Sequence, residues 1–135
     1  MNILVGVNHP AHVHLFRNFI AIMEHNNHIV KIIHFEKDIS AKLLKHYKFD
    51  FCTVGKNQGN FFKNLLGHHK VFFNTVRQAS KFEPDIAVGR LIPALSFASS
   101  ILDIPYIGLE DTENANLNHR LAIPFIDKII TSQSF

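Results

Sequence analysis

The chain has 135 residues, 47% hydrophobic and 19% charged, a balance that fits one folded domain and excludes a disordered or collagen-like chain. The net charge of +3 hides a division: residues 1 to 82 carry 11 Lys/Arg against 4 Asp/Glu, and residues 83 to 135 carry 3 against 7. No apolar run reaches the roughly 18 residues of a membrane span, no basic-then-apolar leader opens the chain, and the single cysteine, Cys52, excludes an internal disulfide or a multi-cysteine metal site; together these point to the cytoplasm.

Asn2 to Val7 (N-I-L-V-G-V) reads as a buried strand. Pro10 suits the first turn of a helix. Val13, Phe16, Ile20 and Met23 carry helical spacing through His25, and Asn26-Asn27 stops it. His28 to Phe35 is β-branched and reads as a second strand. Asp38 can cap a short helix through Tyr47, and Asp50 to Val54 is a third strand. Gly55 to Asn60 is the clearest loop. A long helix follows over about Phe61 to Phe82, with Phe62, Leu65, Leu66, His69, Phe72, Phe73 and Val76 sharing one apolar face. Lys63, Lys70, Arg77 and Lys81 fall on its flank. That flank reads first as a solvated surface; contact with an anionic membrane or a lipid phosphate is the alternative.

Pro84 ends the helix, and Asp85 to Gly89 is a fourth strand. Ile92 to Leu102 is a helix, Pro105 to Leu109 a fifth strand, about Ala115 to Ile123 a further helix, and Asp127 to Thr131 a sixth strand. The strands are short and nearly all apolar. The alternation therefore predicts an α/β fold, a Rossmann-like doubly wound parallel sheet of about six strands in one domain over residues 1–135.

Ligands of such a sheet bind at the carboxyl ends of its strands. The loops there run from Asn8 to His14, from Gly89 to Pro93 and from Glu110 to Asn114. A dinucleotide site wants G-x-G-x-x-G after the first strand, and a P-loop wants G-x-x-x-x-G-K-[ST]. Only Gly6 is present, followed by Asn-His-Pro, so no cofactor is expected. The N–H groups of Ala11, His12 and Val13 start the first helix, where a phosphate or carboxylate can bind. His9, His12 and His14 can add hydrogen bonds or a proton; the alternative for His12 and His14 is packing against the sheet. A metal held by these histidines with Glu110, Asp111 or Glu113 is a weaker reading, because the spacing is not that of H-E-x-x-H. No metal is expected.

Asp111-Thr112-Glu113 can cap a helix or bind sugar hydroxyls, and Arg90 can pair with Asp111 or Glu113 or clamp a phosphate. His25, His28, His34 and His46 read as scattered surface or edge positions. No nucleic-acid-binding motif occurs, and the acidic half argues against a nucleic-acid partner.

The stretch Asn8-His9-Pro10-Ala11-His12-Val13-His14-Leu15-Phe16 resembles the opening motif of the family called domain of unknown function 354. So do Asp111-Thr112-Glu113-x-Ala115 and Leu121-x-x-Pro124-Phe125-x-Asp127, in the family's order. Asn114 departs from the His expected after Asp-Thr-Glu, Leu15 stands where Phe is expected, and Arg90 is not assigned to a family position.

The resemblance implies a GT-B-like protein, akin to nucleotide-sugar glycosyltransferases and UDP-N-acetylglucosamine 2-epimerases. Those proteins have two Rossmann-like domains with the active site between them. The chain would be the N-terminal, acceptor-side domain of a transferase in surface polysaccharide or glycoconjugate synthesis, with a nucleotide sugar as substrate. Its nearest alternative is half of a UDP-sugar 2-epimerase-like enzyme. One of the three histidines, with His12 preferred, would be the general base. Asn8, His9, His14, Arg90, Asp111, Thr112 and Glu113 would contact substrate.

Relatives continue into a second domain. The expected partner is therefore a missing C-terminal domain or a separately encoded second half, and the chain alone is expected to be inactive. A non-catalytic interaction module is the other reading. Leu117, Leu121, Phe125 and Phe135, left partly uncovered, would favour a homo-oligomer. Peripheral contact at the inner membrane face stays open.

Overall fold

The structure, a computed structural model, describes residues 1–36, 39–56, 65–110 and 120–131. Six strands, β1 (Asn2–Val7), β2 (Ile29–Glu36), β3 (Phe51–Lys56), β4 (Ile86–Arg90), β5 (Tyr106–Glu110) and β6 (Lys128–Thr131), form one sheet in the order β3-β2-β1-β4-β5-β6. Every pairing is parallel. Helices α1 (Pro10–His25), α2 (Ser40–His46), α3 (Leu65–Phe82) and α4 (Pro93–Ile101) make the crossovers, and a 3₁₀ turn (Ile123–Phe125) precedes β6. The strand order reverses between β1 and β4, the doubly wound arrangement.

Alternation along β1 splits the core into two layers. Ile3, Val5 and Val7 face α1 and α2, packing with Val13, Phe16, Ile20, Ile32 and Leu44. Leu4 faces α3 and α4, packing with Ile33, Ala79, Ala87, Leu95 and Tyr106. Burial on both faces explains why the strands lack polar alternation. Asn2 ties β1 to the end of α3. Its backbone N–H donates to Asp85 Oδ2 at 2.7 Å, and its side-chain amide donates to the carbonyls of Phe82 and Glu83.

Each helix ends on a non-glycine residue with positive φ: Asn27 at 62°, Lys48 at 56°, Glu83 at 50° and Asp103 at 55°. After α1, α2 and α4 the next N–H reaches back five residues. His28 bonds to Met23, Phe49 to Leu44 and Ile104 to Ser99, which satisfies carbonyls the helix leaves open.

Two expectations need correction. On α3 from His69 onward, the buried residues are Thr75 and Ala79, with Val71, Phe72 and Phe82 packed beside them, and Phe73 is 69% exposed. The apolar pattern misplaced this face because a polar residue occupies its centre; the Thr75 hydroxyl is satisfied by donating to the Val71 carbonyl at 2.8 Å. His34 is fully buried rather than peripheral. Its Nε2 lies 2.7 Å from Ser40 Oγ and its Nδ1 3.0 Å from Thr53 Oγ1, so it joins β2, β3 and the start of α2. The residue before α2 is Ile39, which makes no side-chain cap.

Asp38, residues 57–64 and residues 111–119 lie outside the described residues, and so do the expectations placed on them.

Candidate functional site at the carboxyl edge of the sheet

The reversal puts the ends of β1 and β4 side by side, where an open parallel sheet forms its crevice. The register fixes which residues meet there. Gly6 of β1 stands beside Gly89 of β4, and Gly89 beside Gly108 of β5. This glycine row lets α4 and its flanking loop press onto the sheet. A Cβ at Gly6 would lie 2.5 Å from Leu95 Cδ2, and one at Gly108 2.7 Å from Leu91 Cδ2. At Gly89 the nearest atom is the Tyr106 hydroxyl, at 3.1 Å. Tyr106 is fully buried and its hydroxyl donates to the Arg90 carbonyl, which pins the backbone at the end of β4. Sequence reading missed this row, because its three members fall in three separate strands and only the register joins them.

The first loop differs from expectation at the start of α1. The His9 ring caps the helix: Nδ1 accepts from the Ala11 N–H at 3.2 Å, and the His12 N–H bonds to the His9 carbonyl at 3.0 Å. Two of the N–H groups expected to be open to an anion are therefore already used within the chain. Because Nδ1 accepts, a neutral His9 carries its proton on Nε2.

The His9 and His12 rings stand together, with centroids 5.9 Å apart. His14 does not join them. Two residues on, it is turned about 200° around the helix and meets Tyr47 edge-on at 6.2 Å, beside Arg17. Asn8 precedes the cap, and its Oδ1 is buried with no hydrogen-bond partner among the described residues.

Across the reversal, Arg90 pairs with Glu110, a partner the sequence reading did not name. The Nη2 to Oε1 distance is 2.7 Å, and the side chains are only 15% and 7% exposed. The reason is register: Arg90 ends β4, Glu110 ends β5, and Arg90 lies beside Leu109. Asp111, Thr112 and Glu113 lie outside the described residues. Among the described residues, no group of three His, Cys, Asp or Glu side chains is placed to hold a metal ion.

Comparison with known proteins places this arrangement. An uncharacterized protein of Methanocaldococcus jannaschii is 23% identical over 130 residues, covering 96% of this chain and 38% of that protein. Among solved structures, MurG of Acinetobacter baumannii superposes with a TM-score of 0.80 at 14% identity, over 99% of this chain and 42% of MurG. The UDP-GlcNAc 2-epimerase of M. jannaschii gives 0.71 at 13% identity, over 99% of this chain and 40% of the enzyme. Glycosyltransferase VinC, solved with dTDP, gives 0.65 at 14% identity, over 93% of this chain and 38% of VinC. The fold is thus a Rossmann-like unit of the GT-B kind, and the chain spans about two-fifths of the length of each of these proteins. The model of the family described as protein of unknown function, DUF354, matches residues 1–135 throughout, and the chain belongs to that family.

Proposed function

We propose that the chain is the N-terminal, acceptor-side domain of a GT-B-type sugar-transfer protein acting in surface polysaccharide or glycoconjugate synthesis. The observation that carries this reading is the carboxyl edge of β1 and β4. There the His9–His12 pair and the buried Asn8 Oδ1 stand across the reversal from the Arg90–Glu110 pair, with no glycine-rich phosphate loop. An edge of this kind suits hydroxyl groups better than a pyrophosphate. A second Rossmann-like half, on the same chain or separately encoded, would hold the nucleotide sugar.

In this reading His12 is the general base. It takes the proton of an acceptor hydroxyl as that oxygen bonds to the anomeric carbon, and the nucleoside diphosphate departs with the electron pair of the broken bond. His9, Asn8, Arg90, Asp111, Thr112 and Glu113 orient acceptor hydroxyls. The packing of His14 against Tyr47 sets it apart from this group.

His12→Ala in a protein carrying both halves is expected to lower kcat by about a hundredfold or more. Unchanged turnover and unchanged acceptor affinity would remove His12 from the mechanism. An epimerase reading is favoured by the similarity to UDP-GlcNAc 2-epimerases. Incubation with a UDP-sugar alone separates the two: interconverted sugars mean epimerase, and no change without acceptor means transferase. The intact mass of the endogenous protein comes first. Roughly twice the chain's 15.4 kDa or more means that both halves share one polypeptide. A value near 15.4 kDa directs the search to a separate partner, and to a non-catalytic module if no turnover follows.

A further inference from the structure

Phe73 lies about 160° around α3 from the buried Thr75, on the crest of the helix, and is 69% exposed. Lys70 and Arg77 stand three residues before it and four after, with Lys81 one turn further, all exposed on the flank beyond the crest. From Leu65 to Phe82 the helix holds no acidic residue; Glu83 follows its end. On the other flank Phe72 meets Phe97 of α4 with ring centroids 5.5 Å apart, and Phe97 meets Phe125 at 5.8 Å. Phe97, Phe125 and Ile101, one turn after Phe97, are 38%, 38% and 56% exposed. One outer surface therefore carries a basic stripe, an exposed phenylalanine at its border, and an apolar patch beside it.

We propose that this face of α3 and α4 docks the protein on the surface of an anionic lipid bilayer. Cations placed against lipid phosphates, with aromatic and branched aliphatic side chains entering the headgroup boundary beside them, are the chemistry of interfacial binding. Nucleic acid accounts for the cations but gives Ile101 no partner. No helix among the described residues is long and apolar enough to cross a membrane, so the contact is peripheral. The inference stands on α3 and α4 and does not depend on the acceptor-side reading, whose residues lie at the sheet edge.

The test is co-sedimentation of the chain with vesicles of phosphatidylcholine containing about 30% phosphatidylglycerol, against phosphatidylcholine alone, at about 0.1 M salt. The wild type is expected to sediment with the anionic vesicles and to be released by about 0.5 M salt. Phe73→Ser should weaken binding roughly tenfold. Each of Lys70→Gln, Arg77→Gln and Lys81→Gln should weaken it about fivefold. All four positions are exposed, so circular dichroism should report an unchanged fold. Leu15→Ser, on α1 across the sheet, is 50% exposed in the wild type and should bind as the wild type does. Equal binding to neutral and anionic vesicles, no binding to either, or indifference to Phe73→Ser overturns the proposal. Binding to an oligonucleotide without vesicle binding assigns the face to nucleic acid instead. A dimer in the absence of lipid that Phe73→Ser disperses assigns it to a second copy of the chain.

Discussion

At the ends of β4 and β5 a guanidinium and a carboxylate share a site from which water is largely excluded, with Arg90 and Glu110 2.7 Å apart. The arrangement makes removal of one partner costlier than removal of both, because a buried charge that loses this attraction keeps its desolvation penalty. Arg90→Ala is therefore expected to cost about 3 kcal/mol in urea unfolding, and the double change Arg90→Met with Glu110→Leu to cost less than that single change. His9 poses a different residue-level question, since its ring already has a structural task as the α1 cap. His9→Asn should hold stability, because Asn caps as well as any residue, whereas His9→Ala should lose about 1 kcal/mol. If both variants lose turnover in a two-half protein, His9 also acts on substrate; if only His9→Ala does, its contribution is the cap. The sequence made Asn8, His9, His12 and Arg90 visible as polar residues in strand-end loops. Glu110 as the partner of Arg90 was not legible, because two ions meeting across neighbouring strands is a matter of register.

Among the elements, α3 shows where pattern reading fails. Its existence and its end followed from Phe spacing and Pro84, but its buried face did not, since Thr75 takes a core position by bonding within its own helix. The positive-φ residue after a helix had a sequence signal only after α1, where Asn26-Asn27 stands; Lys48, Glu83 and Asp103 adopt positive φ with no such signal. A β-carbon in that region costs about 1–2 kcal/mol, partly offset by the greater freedom of glycine in the unfolded chain. Lys48→Gly is thus expected to raise stability by about 0.5–1 kcal/mol in chemical denaturation. The packing of α4 predicts the opposite for glycine replaced by alanine. At Gly6 the new methyl would meet Leu95, itself fully buried, at 2.5 Å. Gly6→Ala should cost about 1–3 kcal/mol. Gly89→Ala, where the nearest neighbour is 3.1 Å away, should cost less.

For the whole molecule, six apolar segments separated by helical patterns made the parallel sheet legible, because burial on both faces removes polar residues from the inner strands; the edge strand β6 is apolar at Ile129 and Ile130 although it is exposed. The doubly wound arrangement followed from handedness rules, whereas the glycine row and the outer aromatic surface appear only when distant segments are brought together. Alkaline pH tests the integrity of that assembled core. Burial pushes the Tyr106 phenol well above its ordinary range, and burial also raises the Cys52 thiol, with nearby Lys31 partly opposing. Both groups keep their protons longer in the folded chain than in the unfolded one. Their contribution is therefore fully present below the unfolded pKa values and is lost as pH rises through and beyond them. Stability should be level from neutrality to about pH 8 and then fall, by about 1 kcal/mol per pH unit above pH 10 for Tyr106. Tyr106→Phe isolates this contribution. At pH 7 the variant should be weaker by about 1–2 kcal/mol, since the Arg90 carbonyl loses its hydroxyl donor. Above pH 10 the wild type alone carries the ionisation penalty, so the gap should narrow by about 1 kcal/mol by pH 11. A gap that stays constant in urea titrations at the two pH values would mean that the core opens to hydroxide around Tyr106 before the molecule unfolds.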